Sequence, residues 1–226
     1  MIIAIDGPAG AGKSTLAKRI AQTLNLQLVE TGALYRAVGL LAKEQGVGLA
    51  VDDAPSLAEI AENLQIHFQY QDGVNHVFVN DRDVTTRLRT QEAGQHASQL
   101  SAYPQVRAAL LGQQRTLADQ HPSVLEGRDI GTVVCPHATY KFFVTASPEV
   151  RAKRRVIELE SRGESADYDT ILRQIVGRDL RDSTRDIAPL IPAEDAIHID
   201  TGTRGVEEIL STMLAHIDLG ATGGTR

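Results

Sequence analysis

Cysteine is nearly missing from this sequence: Cys135 stands alone among 226 residues. That excludes an intrachain disulfide and a cysteine-rich metal site. The histidines (His67, His76, His96, His121, His137, His198 and His216) fall at no metal-ligand spacing. Long apolar runs are also lacking, and nothing approaches the roughly 18 residues needed to span a bilayer. Positive charge is not in excess. The formal net charge of −6 argues against general binding to nucleic acid or membrane surfaces, which favour basic faces. The first residues show no basic stretch leading into a cleavable apolar core, so the expected location is the cytoplasm. Lysine is scarce, with five (Lys13, Lys18, Lys43, Lys141, Lys153) against eighteen arginines. Arginine is the better bidentate ligand for phosphate, although genomic composition alone gives the same bias.

What is present begins at the first strand. Residues 2–5 form a short apolar run of the kind expected for a strand buried on both faces. It leads into Gly7-Pro8-Ala9-Gly10-Ala11-Gly12-Lys13-Ser14-Thr15, which has the G-x4-G-K-[ST] spacing of a P-loop. The glycines let backbone N–H groups converge on phosphate oxygens, and the following helix adds the positive end of its dipole. Lys13 is placed to reach the terminal phosphates of a nucleoside triphosphate, and the Ser14 hydroxyl to ligate Mg²⁺.

Apolar periodicity predicts a helix over 14–24, a strand over 26–29 and a second helix through about Lys43. A short helix over 54–63 and alternating strands over 65–70 and 76–79, joined at Asp72-Gly73, read as an inserted subdomain spanning 47–86. Helices follow over 90–98 and 104–120, then a strand at 124–125 and another over 140–144. A basic helix over 148–162, helices over 169–181 and 206–217, and a strand over 196–199 complete the pattern. The Gly/Thr-rich tail, 220–226, is expected to be disordered. Strands alternating with helices imply an α/β fold on a parallel sheet covered on both faces.

A P-loop alone does not give the reaction. No N-K-x-D guanine reader occurs, and the nearest motor-like strand end, Val124-Leu125-Glu126, lacks an Asp-Glu pair. Small-molecule kinases remain. A hydroxyl acceptor calls for a carboxylate base. A nucleotide phosphate is already anionic at neutral pH, and the difficulty becomes joining two polyanions. Several guanidinium groups and Mg²⁺ would offset that repulsion. Arg36, Arg107, Arg128, the Arg151/Arg154/Arg155 group, Arg178, Arg181 and Arg185 supply them. Plainer readings stand beside this one: Arg154 and Arg155 as a solvated helix face, and Arg178, Asp182 and Arg185 as a surface ladder.

Taken together, the P-loop segment, Thr31-Gly32-Ala33-Leu34-Tyr35-Arg36, Ala97-Ser98-Gln99 and Pro104-Gln105-Val106-Arg107 resemble the bacterial cytidylate kinases. So do Gly127-Arg128-Asp129-Ile130-Gly131-Thr132, residues 151–155, and the run from Arg178-Asp179 through Arg185 to Ala188-Pro189-Leu190. The resemblance implies a P-loop NTPase fold with a five-stranded parallel sheet flanked by helices. It implies a core of 1–46, 87–150 and 164–218, an NMP-binding insert at 47–86, an Arg-rich lid at 151–163 and a flexible tail at 219–226. It implies transfer of the ATP γ-phosphate to CMP or dCMP by a monomer that needs Mg²⁺, with no nucleic-acid or membrane partner. Residues 7–15 and Arg154 would bind ATP. Thr31, Arg36, Ser98, Arg107, Arg128, Asp129, Arg178, Asp182 and Arg185 would bind CMP. Catalysis would rest on Lys13, Arg128, Asp129, Arg178 and Arg185, and the metal on Ser14. The lid's crowded arginines are expected to repel one another until phosphate arrives.

The family's Asp-Thr-Gly-Ala and Asp-Gly-Arg-Asp are here Glu30-Thr31-Gly32-Ala33 and Glu126-Gly127-Arg128-Asp129. Both glutamates are expected at neighbouring strand ends facing the ligand cleft. Three possibilities stay open on the residues alone: a CMP kinase, a kinase for another acceptor such as UMP or a hydroxyl compound, and a nucleotide-dependent regulatory module.

Overall fold

The computed structural model describes residues 1–222. The chain opens with β1 (Ile2–Asp6), the P-loop, α1 (Lys13–Leu24), β2 (Gln27–Glu30) and α2 (Gly32–Gln45). A 3₁₀ turn at Val51–Asp53 leads to α3 (Ala54–Glu62), β3 (Ile66–Gln71), β4 (Val74–Val79), β5 (Arg82–Asp83) and α4 (Thr85–Leu88). Next come α5 (Gln91–Leu100), α6 (Pro104–Gln120), β6 (Ser123–Gly127), a π turn at Ile130–Val134 and β7 (Tyr140–Thr145). Last are α7 (Pro148–Ser161), α8 (Tyr168–Thr184), β8 (Ile197–Asp200) and α9 (Val206–Thr222).

The main sheet is parallel, in the order β2-β6-β1-β7-β8. Its inner strands β1, β6 and β7 are largely buried on both faces, and alternate residues feed two separate cores. Ala4, Val29 and Leu125 face one core with α2 residues Leu34, Val38 and Leu41. Ile3, Ile5, Leu28 and Val124 face the other, with Leu16 and Ile20 of α1 and Met213 of α9. This is why the strands read as apolar runs and the helices as one-sided. Register places Asp6 beside Gly127 and Glu30 beside Glu126. The carboxyl ends of β1, β2 and β6 therefore open onto one cleft, where parallel sheets bind ligands.

The insert carries an antiparallel sheet, β3-β4-β5. Its hairpin turns at Asp72 and Gly73, with φ of 50° and 79°, the pair of positive values that a two-residue turn needs to match strand twist. β5 and α4 are additional to the sequence expectation. Helix α8 is longer than expected at both ends, and α9 continues to Thr222, so helix replaces part of the tail expected to be disordered. Residues 223–226 of that tail lie outside the described residues.

α7 and α8 pack on each other over a small third core of Ala152, Leu159 and Ile171. Each of the arginines in the expected lid has a hydrogen-bond partner. Arg155 and Arg162 both bond Glu158 on the surface, at 2.8 and 2.5 Å. Arg151 is buried instead, and Arg154, exposed, reaches Thr201.

Candidate active site

The P-loop passes close to β7. A Cβ on Gly7 would lie 1.9 Å from the Val144 carbonyl oxygen, so only glycine fits there. Gly12, with φ of 91°, starts α1 in the left-handed region. Lys13 is buried, only 5% exposed, and its Nζ donates to the Pro8 carbonyl at 2.7 Å. Its pKa is driven well down, first by burial and then by the Arg128 charge. The loop folds over the Lys13 side chain.

The Ser14 hydroxyl meets both carboxylate oxygens of Glu126, at 2.7 and 2.9 Å. Glu126 was legible as an acid at a strand's carboxyl end, but its pairing with Ser14 was not. A hydroxyl and a carboxylate are hard oxygen donors and fit Mg²⁺, which takes one or two protein ligands beside phosphates and water. Among the described residues no cluster of three or more His, Cys, Asp or Glu could hold a metal ion by itself.

Asp6, unnoticed in the sequence, is 4% exposed and accepts from the Ile130 and Gly131 N–H groups at 2.8 and 2.7 Å. It clamps the turn that follows Arg128-Asp129. Burial raises its pKa to about 6 against those two hydrogen bonds.

Beyond the P-loop stand two arginine–carboxylate–arginine groups. Asp129 is bonded by Arg107, and the Arg185 guanidinium lies 3.5 Å from its other oxygen. Arg107 also lies over the Tyr35 ring, 5.9 Å from its centre. Asp182, 3% exposed, accepts from Arg128 Nε at 3.1 Å, with Arg178 Nε at 3.8 Å. Four cations share two carboxylates. Arg178 is pulled down to about 10 by burial and then by Arg128. Burial also lowers Arg36 and Arg185, the latter further depressed by Arg107.

Hydrogen-bonding capacity is left over in the same place. Arg36 Nε, Ser98 Oγ, Arg178 Nε and Arg185 Nη2 are buried without a hydrogen-bond partner. Such groups are costly unless something pairs with them. Thr31 is different: its hydroxyl is already on the Glu126 carbonyl at 2.8 Å. Arg154, expected to bind ATP, spends its guanidinium on Thr201, with Nη1 3.0 Å from the hydroxyl and Nη2 on the carbonyl. Thr201 Oγ1 in turn lies 2.9 Å from the Ala11 carbonyl, so Arg154 braces the loop from behind.

A P-loop near a cluster of guanidinium groups suits a reaction between two phosphates, and comparison with known proteins agrees. The family described as cytidylate kinase matches residues 3–219. The chain is 44% identical over 216 residues to a cytidylate kinase of Haemophilus ducreyi, covering 96% of each chain. It is 46% identical to one from Syntrophotalea carbinolica, over 95% of this chain and 90% of that one. A third, from Fervidobacterium nodosum, is 47% identical over 94% of both. With near-complete coverage at that identity, carried by a fold and a cleft of the right kind, the chain belongs to the cytidylate kinase family.

Proposed function

We propose that this protein transfers the γ-phosphoryl group of ATP to CMP or dCMP, giving ADP and CDP or dCDP. The observation that carries the reading is the set of unpartnered buried donors on Arg36, Ser98, Arg178 and Arg185, beside a P-loop and around two carboxylates. Family membership supplies the cytosine nucleotide as acceptor.

The acceptor phosphate is anionic at neutral pH and needs no base to deprotonate it. The residues' task is to hold two phosphates together and to stabilise charge on the group in transit. P-loop residues 7–15 would bind the ATP phosphates, and Lys13 would exchange the Pro8 carbonyl for a phosphate oxygen. Arg36, Arg107, Arg128, Arg178 and Arg185 would receive the acceptor phosphate and the transferred group, with Thr31 and Ser98 beside them. Asp129, beside Arg107 and Arg185, and Asp182, beside Arg128 and Arg178, hold those four guanidinium groups in fixed directions and would accept from base or sugar. Ser14 and Glu126 would hold Mg²⁺, which supplies charge neutralisation on the phosphates. The reading includes a monomer acting on small molecules in the cytoplasm. Among the described residues no helix is long and apolar enough to cross a membrane.

A coupled ADP-release assay over a panel of nucleoside monophosphates tests this. CMP and dCMP should be the best acceptors. A better rate with UMP or a hydroxyl compound would reassign the acceptor, and no stimulation by any would favour a binding module.

A further inference from the structure

Arg151, at the start of α7, is 3% exposed. A buried guanidinium persists only if its donors are satisfied, and here they go to three separate parts of the fold. Nε donates to the Ala146 carbonyl, just past β7, at 2.9 Å. Nη1 donates to the Ala9 carbonyl of the P-loop at 3.1 Å and to Asp179 Oδ1 at 3.0 Å, and Nη2 to Asp179 Oδ2 at 2.5 Å. The P-loop fits closely around the same side chain: a Cβ on Gly10 would sit 3.5 Å from Arg151 Cβ. Asp179 follows Arg178 on α8, so adjacent residues of one helix point to two different tasks. Arg178 and Asp182 belong to the acceptor cluster, and Asp179 is bound to the root of α7.

We propose that Arg151 and Asp179 form a positioning pair for phosphoryl transfer, locking α8 and its Arg178 and Asp182 to the P-loop backbone. The inference rests on the CMP kinase reading of the site. Donor and acceptor phosphates are gripped by different elements, the P-loop and α8, and in-line transfer needs both grips in one frame. A displacement on the order of 1 Å can cost about 100-fold in rate. Arg151 is a single covalent fork that touches the loop and the helix together. A bidentate pair fixes direction as well as distance, which a lysine ammonium cannot do. The Arg151 donors are spent on the Ala9 and Ala146 carbonyls and on Asp179, so the pair acts through the residues it holds. Its loss should appear in kcat rather than in KM.

The test measures kcat, KM for ATP, KM for CMP and thermal midpoint for Asp179→Ala, Arg151→Lys, their double variant and Asp179→Glu. Asp179→Ala and Arg151→Lys should each lower kcat by about tenfold or more, with both KM values within about threefold. The double variant should be no worse than the poorer single one, since each change already breaks the same link. Asp179→Glu keeps the carboxylate and should recover most of the rate. If Asp179→Ala does not fold, Asp179→Asn keeps the shape and one acceptor oxygen, and its kcat should fall by about threefold or more. A pair that only stabilises would lower the midpoint and leave kcat unchanged in the folded fraction. That result, a loss confined to KM, or additive effects would each overturn the proposal. Wild-type turnover of CMP in the same assay separates this from the functional reading. If the wild type does not use CMP, the functional reading fails; if only the ratios are flat, the pair is at fault.

Discussion

Lys13 is held in a place that is costly for a cation. Its ammonium is buried on one carbonyl, and Arg128 and Arg178 both push its pKa down. Replacing it with methionine should cost the transition state about 3 kcal/mol or more, roughly a hundredfold in kcat, through loss of a charge contact to the transferred group. The same substitution removes a buried charge from among like charges, so the thermal midpoint should hold or rise. A circular-dichroism melt beside steady-state kinetics checks both halves, and undiminished kcat in the folded variant would remove Lys13 from the mechanism. At this scale the sequence was informative about chemistry and silent about burial. The spacing of glycines named Lys13 and Ser14 as phosphate and metal residues. Nothing local announced that Ser14 would find Glu126, 112 positions away, or that Asp6 would reach across to Ile130 and Gly131.

Two strands decide the fate of the glutamate pair. β2 and β6 are neighbours, and Glu30 stands opposite Glu126 in their register, as the family's sheet led us to expect. Burial, and then the Glu126 charge, lift the Glu30 carboxyl to about 7 from an ordinary 4.5. Between those two values the folded chain binds more protons than the unfolded one, so this group's contribution to stability is full below about 4.5 and is lost as pH rises through about 7. The wild-type midpoint should therefore fall from pH 5.5 to pH 7.5 more steeply than that of Glu30→Gln. Parallel slopes would show that Glu30 does not titrate there. A cycle of Glu30→Asp, Glu126→Asp and the double variant, read in kcat/KM for CMP, should show an interaction of roughly 0.5 kcal/mol or more. Strict additivity would make the two glutamates independent. Elements with strong local signals were legible: the Asp72-Gly73 hairpin, α1, and the apolar strands. β5 was not, since two residues, Arg82 and Asp83, form a strand only by pairing with Val79 and Phe78. The partners of the lid arginines were hidden for the same reason. The arginine charges were visible, but the partners of Arg151 and Arg154 lie 28 and 47 residues away.

Across the whole molecule the unpartnered buried groups of Arg36, Ser98, Arg178 and Arg185 come from α2, α5, α8 and the residue just beyond α8, elements scattered through the chain. The order β2-β6-β1-β7-β8 puts the P-loop strand in the middle, so residues from both halves of the chain meet around it. Such a centre is built at a cost, since buried guanidinium nitrogens of Arg36, Arg178 and Arg185 have no hydrogen-bond partner. Ligand binding should then stabilise the entire fold, because the folded state alone assembles these groups. At about 100 times its Kd, CMP should add about 2.7 kcal/mol, which is roughly 5–10 °C in midpoint for a chain of this size. Cytidine offers the same base and sugar without phosphate. If the unpartnered donors are there for the phosphate, cytidine at the same concentration should move the midpoint far less, and Arg36→Ala should bring the CMP shift down toward it. A thermal-shift titration with both ligands decides this. Equal protection by cytidine and CMP would mean that base and sugar carry the binding, and that the buried guanidinium groups serve something other than the acceptor phosphate.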